Sequence, residues 1–299
     1  MTKCYSHGKL LLTGEYMVLV GAEALAIPTK MGQSLEFEPN DSKTLNWESW
    51  DSKNKLWFNA TLDILDFSIS NSSDEDIATR LAQILKAVRD QKNNFLRKNG
   101  GTVKTHLEFE RQWGLGTSST LISNLASWSQ TNPYKLLQNS FGGSGYDIAC
   151  ATAKSPLIFR KQHLDPHIER CEFEPPFKTS LYFVYLNQKK NSREAIQAFK
   201  RQNISEEQVA YASRLTRAVM KANTLTEFER LINEHESFIS NILGVVPVKE
   251  KLFPDFQGAI KSLGAWGGDF ILATGDKDTP GYFKNKGFKV VMAYKEMLL

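Results

Sequence analysis

Apolar positions alternate or recur along the chain in patterns that set out its elements before any chemistry is considered. Leu10 to Leu12 and Met17 to Val20 read as two short apolar strands, separated by the turn-like Thr13-Gly14-Glu15. From Gln33 to Ile64, Trp47, Trp50, Trp57 and Phe58 stand among Asn, Asp and Ser clusters, which predicts short antiparallel strands with polar turns. Tryptophans in that setting fit core or rim packing better than a ligand cage. After the capping run Ser73-Asp74-Glu75-Asp76, the residues Ile77, Leu81, Ile84, Leu85 and Val88 recur at helical spacing and predict an amphipathic helix. Val103, Thr105, Leu107 and Phe109 then alternate with more polar neighbours as a strand does. A Gly/Ser-rich loop follows and opens a helix near Ser118.

Between Phe159 and Phe177 the composition turns polar, with Asp165-Pro166 and Pro175-Pro176, and a lobe boundary is expected there, giving lobes 1–165 and 166–299. Beyond it Leu181 to Leu186 reads as a strand. Helices are expected from Ser192, from Ser205 and from Thr226, the last with a capping box Thr226-x-x-Glu229, and a further helix is expected to end near Leu263. A Gly-rich turn, a strand at Phe270 to Thr274 and a closing strand at Phe288 to Tyr294 complete the order.

The chain has 299 residues, 41% apolar and 23% charged, which excludes disorder and stapled mini-scaffolds and suggests two lobes or one large α/β unit. A formal charge of +4 is too small to point to nucleic acid. The run Lys189-Lys190-Asn191-Ser192-Arg193 reads as a solvated loop or helix start, or as an anion contact. Cys4, Cys150 and Cys171 have neither disulfide-framework nor zinc spacing. Lys9 and Glu15 interrupt any signal-peptide core, and the stretch Tyr16 to Ile27 is too short to span a membrane and holds Glu23. A soluble cytoplasmic protein is expected.

Three glycine clusters are candidates for chemistry. Gly114-Leu115-Gly116-Thr117-Ser118-Ser119-Thr120 lies where a strand hands over to a helix, where unpaired N–H groups and the helix dipole attract anions. The alternative is an ordinary capped helix start. Gly142-Gly143-Ser144-Gly145-Tyr146-Asp147 puts an acid beside a second such loop, as a base or as a helix N-cap. Lys261 to Asp269 is a third, by itself a C-cap. The P-loop, dinucleotide and protein-kinase motifs are missing from the chain.

Together with Gly8-Lys9-Leu10-Leu11-Leu12-Thr13-Gly14-Glu15-Tyr16, these clusters resemble, in order and spacing, the motifs of the GHMP kinases, the family of galactokinase, homoserine kinase, mevalonate kinase and phosphomevalonate kinase. Gly-Glu-Tyr at 14–16, Ser-Gly-Tyr-Asp at 144–147 and Gly-Gly-Asp at 267–269 look most like the phosphomevalonate kinase branch. The resemblance implies an α+β, two-lobed fold with an N-terminal mixed lobe and a C-terminal ferredoxin-like lobe. It also implies transfer of the ATP γ-phosphoryl group to phosphomevalonate or mevalonate, with ATP and Mg²⁺ as cofactors. Asp147 and Lys9 would be catalytic; Gly114, Leu115, Gly116, Thr117, Ser118 and Ser119 would hold ATP, with Ser118 on the metal. Glu15, Tyr16, Ser144, Gly145, Gly264, Ala265, Gly267 and Gly268 would bind the substrate. The implied partner is a small hydroxy acid or its phosphate, with no nucleic acid or membrane, for a monomer or homodimer.

The chain departs from the family pattern at several places. His7 stands where Pro is common, Arg111-Gln112-Trp113 precedes the phosphate loop, Trp266 replaces a glycine and can narrow the acceptor side, and no Glu lies between Ser119 and Asp147 to serve as a second Mg²⁺ ligand. A kinase of another small alcohol, diphosphomevalonate decarboxylase and a catalytically silent nucleotide-binding module are the alternatives.

Overall fold

The computed structural model describes residues 1–162, 166–188, 196–197, 199 and 201–299. It divides into two compact units that interleave along the chain. One comprises Met1–Gly8, Met31–Arg111 and Leu115–Thr152; the other comprises Lys9–Lys30, Gln112–Gly114 and Ala153–Leu299. Strands β1 (Thr2–Leu11) and β2 (Ala24–Pro39) are long enough to serve both. A single cut after residue 165 would adjoin residues 163–165, which lie outside the described residues, as does the helix expected from Ser192 and the basic run around it.

In the first unit the strands β3 (Thr44–Trp50), β4 (Leu56–Asp63), β5 (Ile69–Ser72) and β6 (Gly101–Leu107) join the second half of β2 in the order β5-β4-β3-β6-β2. β3 pairs antiparallel with β4 and parallel with β6, so a crossover must connect β5 to β6. Helix α1 (Glu75–Gln91) supplies it, capped by Asp74, whose carboxylate accepts the Ile77 N–H at 3.0 Å. Its apolar stripe, Leu81, Leu85 and Val88, shares one core with Trp47, Phe58 and Val103 from the sheet. The hairpin tryptophan Trp47 is thus core, as its alternation predicts.

Arg89 closes the end of α1. Its guanidinium donates to the carbonyls of Ile64 (2.6 Å), Leu65 (2.7 Å) and Phe95 (3.1 Å) and lies 3.9 Å over the Phe67 ring. Three main-chain acceptors in two connecting loops, one after β4 and one after α1, thereby find a donor that secondary structure does not provide. Arg89→Met keeps the stem and removes the donors; a loss of about 2–3 kcal/mol in urea-unfolding free energy is expected.

The first unit also holds α2 (Thr117–Ser129), α3 (Pro133–Ser140) and α4 (Tyr146–Thr152). In the second unit β7 (Leu157–Arg160) pairs with Ala24–Ala26 of β2 and with β8 (His167–Arg170). A separate antiparallel sheet runs β10 (Ile260–Ser262), β11 (Phe270–Thr274), β9 (Leu181–Tyr185), β12 (Val291–Ala293). β9 and β11 are buried along their whole length, which is why both read as unbroken apolar runs. The helices are α5 (Glu206–Lys221), α6 (Leu225–Leu243), α7 (Val248–Leu252), α8 (Thr279–Asn285) and α9 (Tyr294–Met297).

Four expectations are corrected. Met17–Val20 is a 3₁₀ turn rather than a strand, bracketed by left-handed backbone at Tyr16 (φ 61°) and Gly21 (φ 95°) that turns the chain at both ends. No helix runs to Leu263: α7 stops at Leu252, two residues before Pro254, which disfavours helical backbone at Phe253, and Ile260–Ser262 is a strand. The cap of α6 is Thr224, accepting from the Glu227 N–H at 3.2 Å, in place of Thr226. The closing strand is confined to Val291–Ala293 and gives way to α9, while α8, with Pro280 in its first turn, lies just ahead of it.

Candidate functional site

In the first unit the Gly-rich loop delivers the chain into α2. Gly116 is its N-cap in the left-handed region (φ 100°) and brings no side chain, and no acid stands in the first turn. Gly116 therefore offers the leading N–H groups of α2 no capping oxygen, and a helix start of this kind, with its dipole, favours an anion. Leu115 is buried and anchors the loop from below. At the helix entry Thr117 is half-buried and Ser118 is exposed. Ser119 is buried, and its hydroxyl donates to Gly116 O at 2.9 Å.

Helix α4 packs against α2, with Ile148 in the same core cluster as Ile122 and Leu125. Gly142 (φ 68°), Gly143 (φ 115°) and Gly145 (φ 93°) turn the chain into it, with Ser144 half-buried and Gly145 buried. Asp147 stands in the first turn of α4, half-buried, and Oδ1 accepts the Ile148 N–H at 3.1 Å. In the first unit the helix opened by Gly116 thus packs against the helix whose first turn holds Asp147.

In the second unit Lys9, near the end of β1, donates to Gly114 O at 2.8 Å. Gly114 has φ 68°, and a β-carbon there would lie 2.3–2.8 Å from the Asp269 carboxylate, so only glycine fits. Asp269 (φ 54°) is held through its main chain, donating to Gln188 O at 2.7 Å and accepting from Leu186 N at 2.8 Å. It ends a turn in which Gly264 (φ 62°), Trp266 (φ 50°) and Gly267 (φ 75°) are also left-handed. The Trp266 indole is buried in one cluster with Tyr16, Ala212 and Ile239. Ala265 and Gly268 are buried, and Gly264 and Gly267 are half-buried.

Glu15 and Tyr16 are buried in the interior of the second unit. Lys261 Nζ donates to Glu15 Oε1 at 2.6 Å and to Ser262 O at 2.9 Å, and both side chains of the pair are fully buried. From α6, His235 Nε2 accepts the Gly14 N–H at 2.9 Å, and Glu236 accepts the Ser262 N–H at 3.0 Å and its hydroxyl at 2.6 Å. Burial pushes Glu15 up to about 7 against the pull of Lys261, and raises Glu236 likewise. Burial, then the Lys261 charge, hold His235 well below the usual histidine range, so its ring is neutral.

These shifts have opposite linkage. Glu15 and Glu236 bind protons more tightly folded than unfolded, so their contribution is full below the unfolded value and is lost as pH rises, for Glu15 through about 7. His235 contributes above its unfolded value and loses that contribution as pH falls. Glu15→Gln removes the first term alone. Between pH 4.5 and 7 the wild type is expected to lose about 3 kcal/mol relative to the variant, read as the difference in urea-unfolding free energies.

The motifs single out Lys9, Gly114, Gly116 and Asp147, and they give no sign of the buried contacts that His235, Glu236 and Lys261 make. A signal was available: on α6 the buried positions Phe228, Leu231, Ile232, Ile239 and Ile242 share their stripe with His235 and Glu236, two polar residues where apolar ones belong.

No protein-family profile and no curated protein matches the chain's sequence. Solved structures do match along nearly the whole chain. Methanococcus jannaschii mevalonate kinase superposes with a TM-score of 0.71 at 16% identity, covering 97% of this chain and 96% of that one. Streptococcus pneumoniae phosphomevalonate kinase, in complex with phosphomevalonate and AMPPNP, gives 0.71 at 15% identity and 98% of both chains. Lactococcus lactis galactokinase, with galactose, gives 0.61 at 12% identity, over 95% of this chain and 88% of that one. With two sheets, mixed α+β content and these superpositions, the chain has the GHMP kinase fold.

Proposed function

We propose that this protein is an ATP-dependent small-molecule kinase that transfers the γ-phosphoryl group to the hydroxyl or phosphate oxygen of mevalonate or phosphomevalonate, the latter favoured by the residues at 14–16, 144–147 and 267–269. The observation that supports this reading is that α2, whose acid-free start has no capping side chain, packs against α4, whose first turn holds Asp147. Phosphoryl transfer asks little covalent chemistry of a protein; it asks for anion binding, charge neutralisation and a positioned carboxylate.

In this reading the N–H groups opening α2, with Thr117 and Ser118, hold the nucleotide phosphates. Asp147 orients the acceptor and takes its proton as the acceptor oxygen bonds to the γ-phosphorus and the bond to ADP breaks. Lys9 offsets negative charge on the transferred group. Among the described residues no group of three or more His, Cys, Asp or Glu side chains is placed to hold a metal ion. That donor set fits Mg²⁺ carried mainly on nucleotide phosphates, with the Ser118 hydroxyl as its protein contact, since Mg²⁺ keeps waters and takes few protein ligands. When bound it would spread the phosphate charge. Among the described residues no helix is long and apolar enough to cross a membrane; we place the protein in the cytoplasm, acting on small molecules as a monomer or homodimer.

The test is ADP release with Mg·ATP against mevalonate, 5-phosphomevalonate, homoserine and galactose, with carbon dioxide followed alongside. Turnover on one of the first two supports the proposal. Turnover only on homoserine or galactose moves the protein to another alcohol, carbon dioxide release makes it a decarboxylase, and AMPPNP binding without turnover makes it a silent nucleotide-binding module.

A further inference from the structure

We infer that Lys261, Glu15 and His235 form a buried latch that positions the 264–269 turn and Lys9, and that its purpose is geometry rather than stability. The inference rests on the reading of that turn as part of the substrate site. Within the second unit the contacts close a circuit. Lys9 bonds the Gly114 carbonyl, Gly114 lies against the Asp269 carboxylate, and Asp269 ends the turn that leaves β10 after Ser262. Lys261 bonds Glu15, and the chain returns through Gly14 to β1 and Lys9.

Three observations separate a latch from ordinary core. First, a fully buried ion pair is a poor source of stability, because desolvation of both charges offsets their attraction and apolar residues of similar volume serve as well. Second, the polar groups of α6 grip main chain at the two segments to be joined: His235 holds the Gly14 amide, and Glu236 holds the Ser262 amide and hydroxyl. Third, the turn beyond Ser262 contains two non-glycine residues in the left-handed region, Trp266 and Asp269, a backbone that persists only where its surroundings restrain it.

The experiment replaces the pair with apolar residues of like size, Glu15→Met with Lys261→Met, and follows amide hydrogen exchange at Gly14 and over 263–269, together with Tm and, where turnover is found, the KM for the acceptor. A latch predicts a variant that folds with Tm close to wild type, yet exchanges about tenfold or more faster in those segments alone, since local opening is read separately from global unfolding. Its acceptor KM rises about tenfold while kcat changes little, the pattern of lost positioning in binding. Wild-type exchange in the folded double variant overturns the latch. If the double variant does not fold, Glu15→Gln, which keeps an acceptor for Lys261 and loses the charge, decides in its place: faster exchange at 263–269 supports the latch and wild-type exchange overturns it. Absence of turnover on every acceptor overturns the kinase reading and leaves the exchange result to decide the latch.

Discussion

Asp147→Asn is expected to lower kcat by about 10²–10⁴-fold, the usual contribution of a positioned general base, while AMPPNP affinity stays within about twofold of wild type. The asymmetry follows from where the residue sits. Asp147 opens α4, whereas the phosphate-binding groups proposed here belong to α2 and its Gly116 cap. Asparagine is isosteric and keeps an oxygen for the Ile148 amide, so the helix start survives and only the ability to accept a proton is lost. Stopped single-turnover measurements with the acceptor found in the panel, alongside calorimetric titration of AMPPNP, separate the two quantities. Equal loss of affinity and rate would place Asp147 in nucleotide binding, and an unchanged rate would remove it from the chemistry.

The largest expected effect on stability comes from Lys261→Met alone, about 3–5 kcal/mol by urea unfolding at pH 8, because it strands the Glu15 carboxylate in a site from which water is excluded. The carboxyl has an escape. It already titrates near 7 with Lys261 beside it, and without the ammonium it protonates more readily still, so at pH 5 the loss shrinks to a fraction of its value at pH 8. A cost independent of pH would mean that packing of the lysine stem, and not the stranded charge, dominates.

How far the molecule was legible in its sequence depended on whether a signal was local. Helix α1 was, because Asp74 and the stripe Leu81, Leu85, Val88 lie within a few turns of each other; so was β11, an apolar run bounded by glycine and polar residues. The Gly116 and Asp147 loops were readable because glycine and acid at a helix start mean the same thing in any fold. Met17–Val20 was not, since its burial comes from tertiary packing while its left-handed ends at Tyr16 and Gly21 give no periodic sign. The Glu15 and Lys261 pair was out of reach for a different reason: 246 positions separate partners that stand in two different motifs, with no local sign that they meet. The burial of Trp266 with Tyr16 was equally out of reach, since 250 positions separate the two residues.

The close approach of Gly114 and the Asp269 carboxylate makes the two positions one unit of change. A side chain at 114 has nowhere to go while an acid stands at 269, and an acid at 269 is tolerated only while 114 has no β-carbon. In a library randomised at both, most survivors should therefore keep glycine at 114, and the few departures, restricted to residues such as asparagine that accept the left-handed backbone there (φ 68°), should occur only with a small residue at 269.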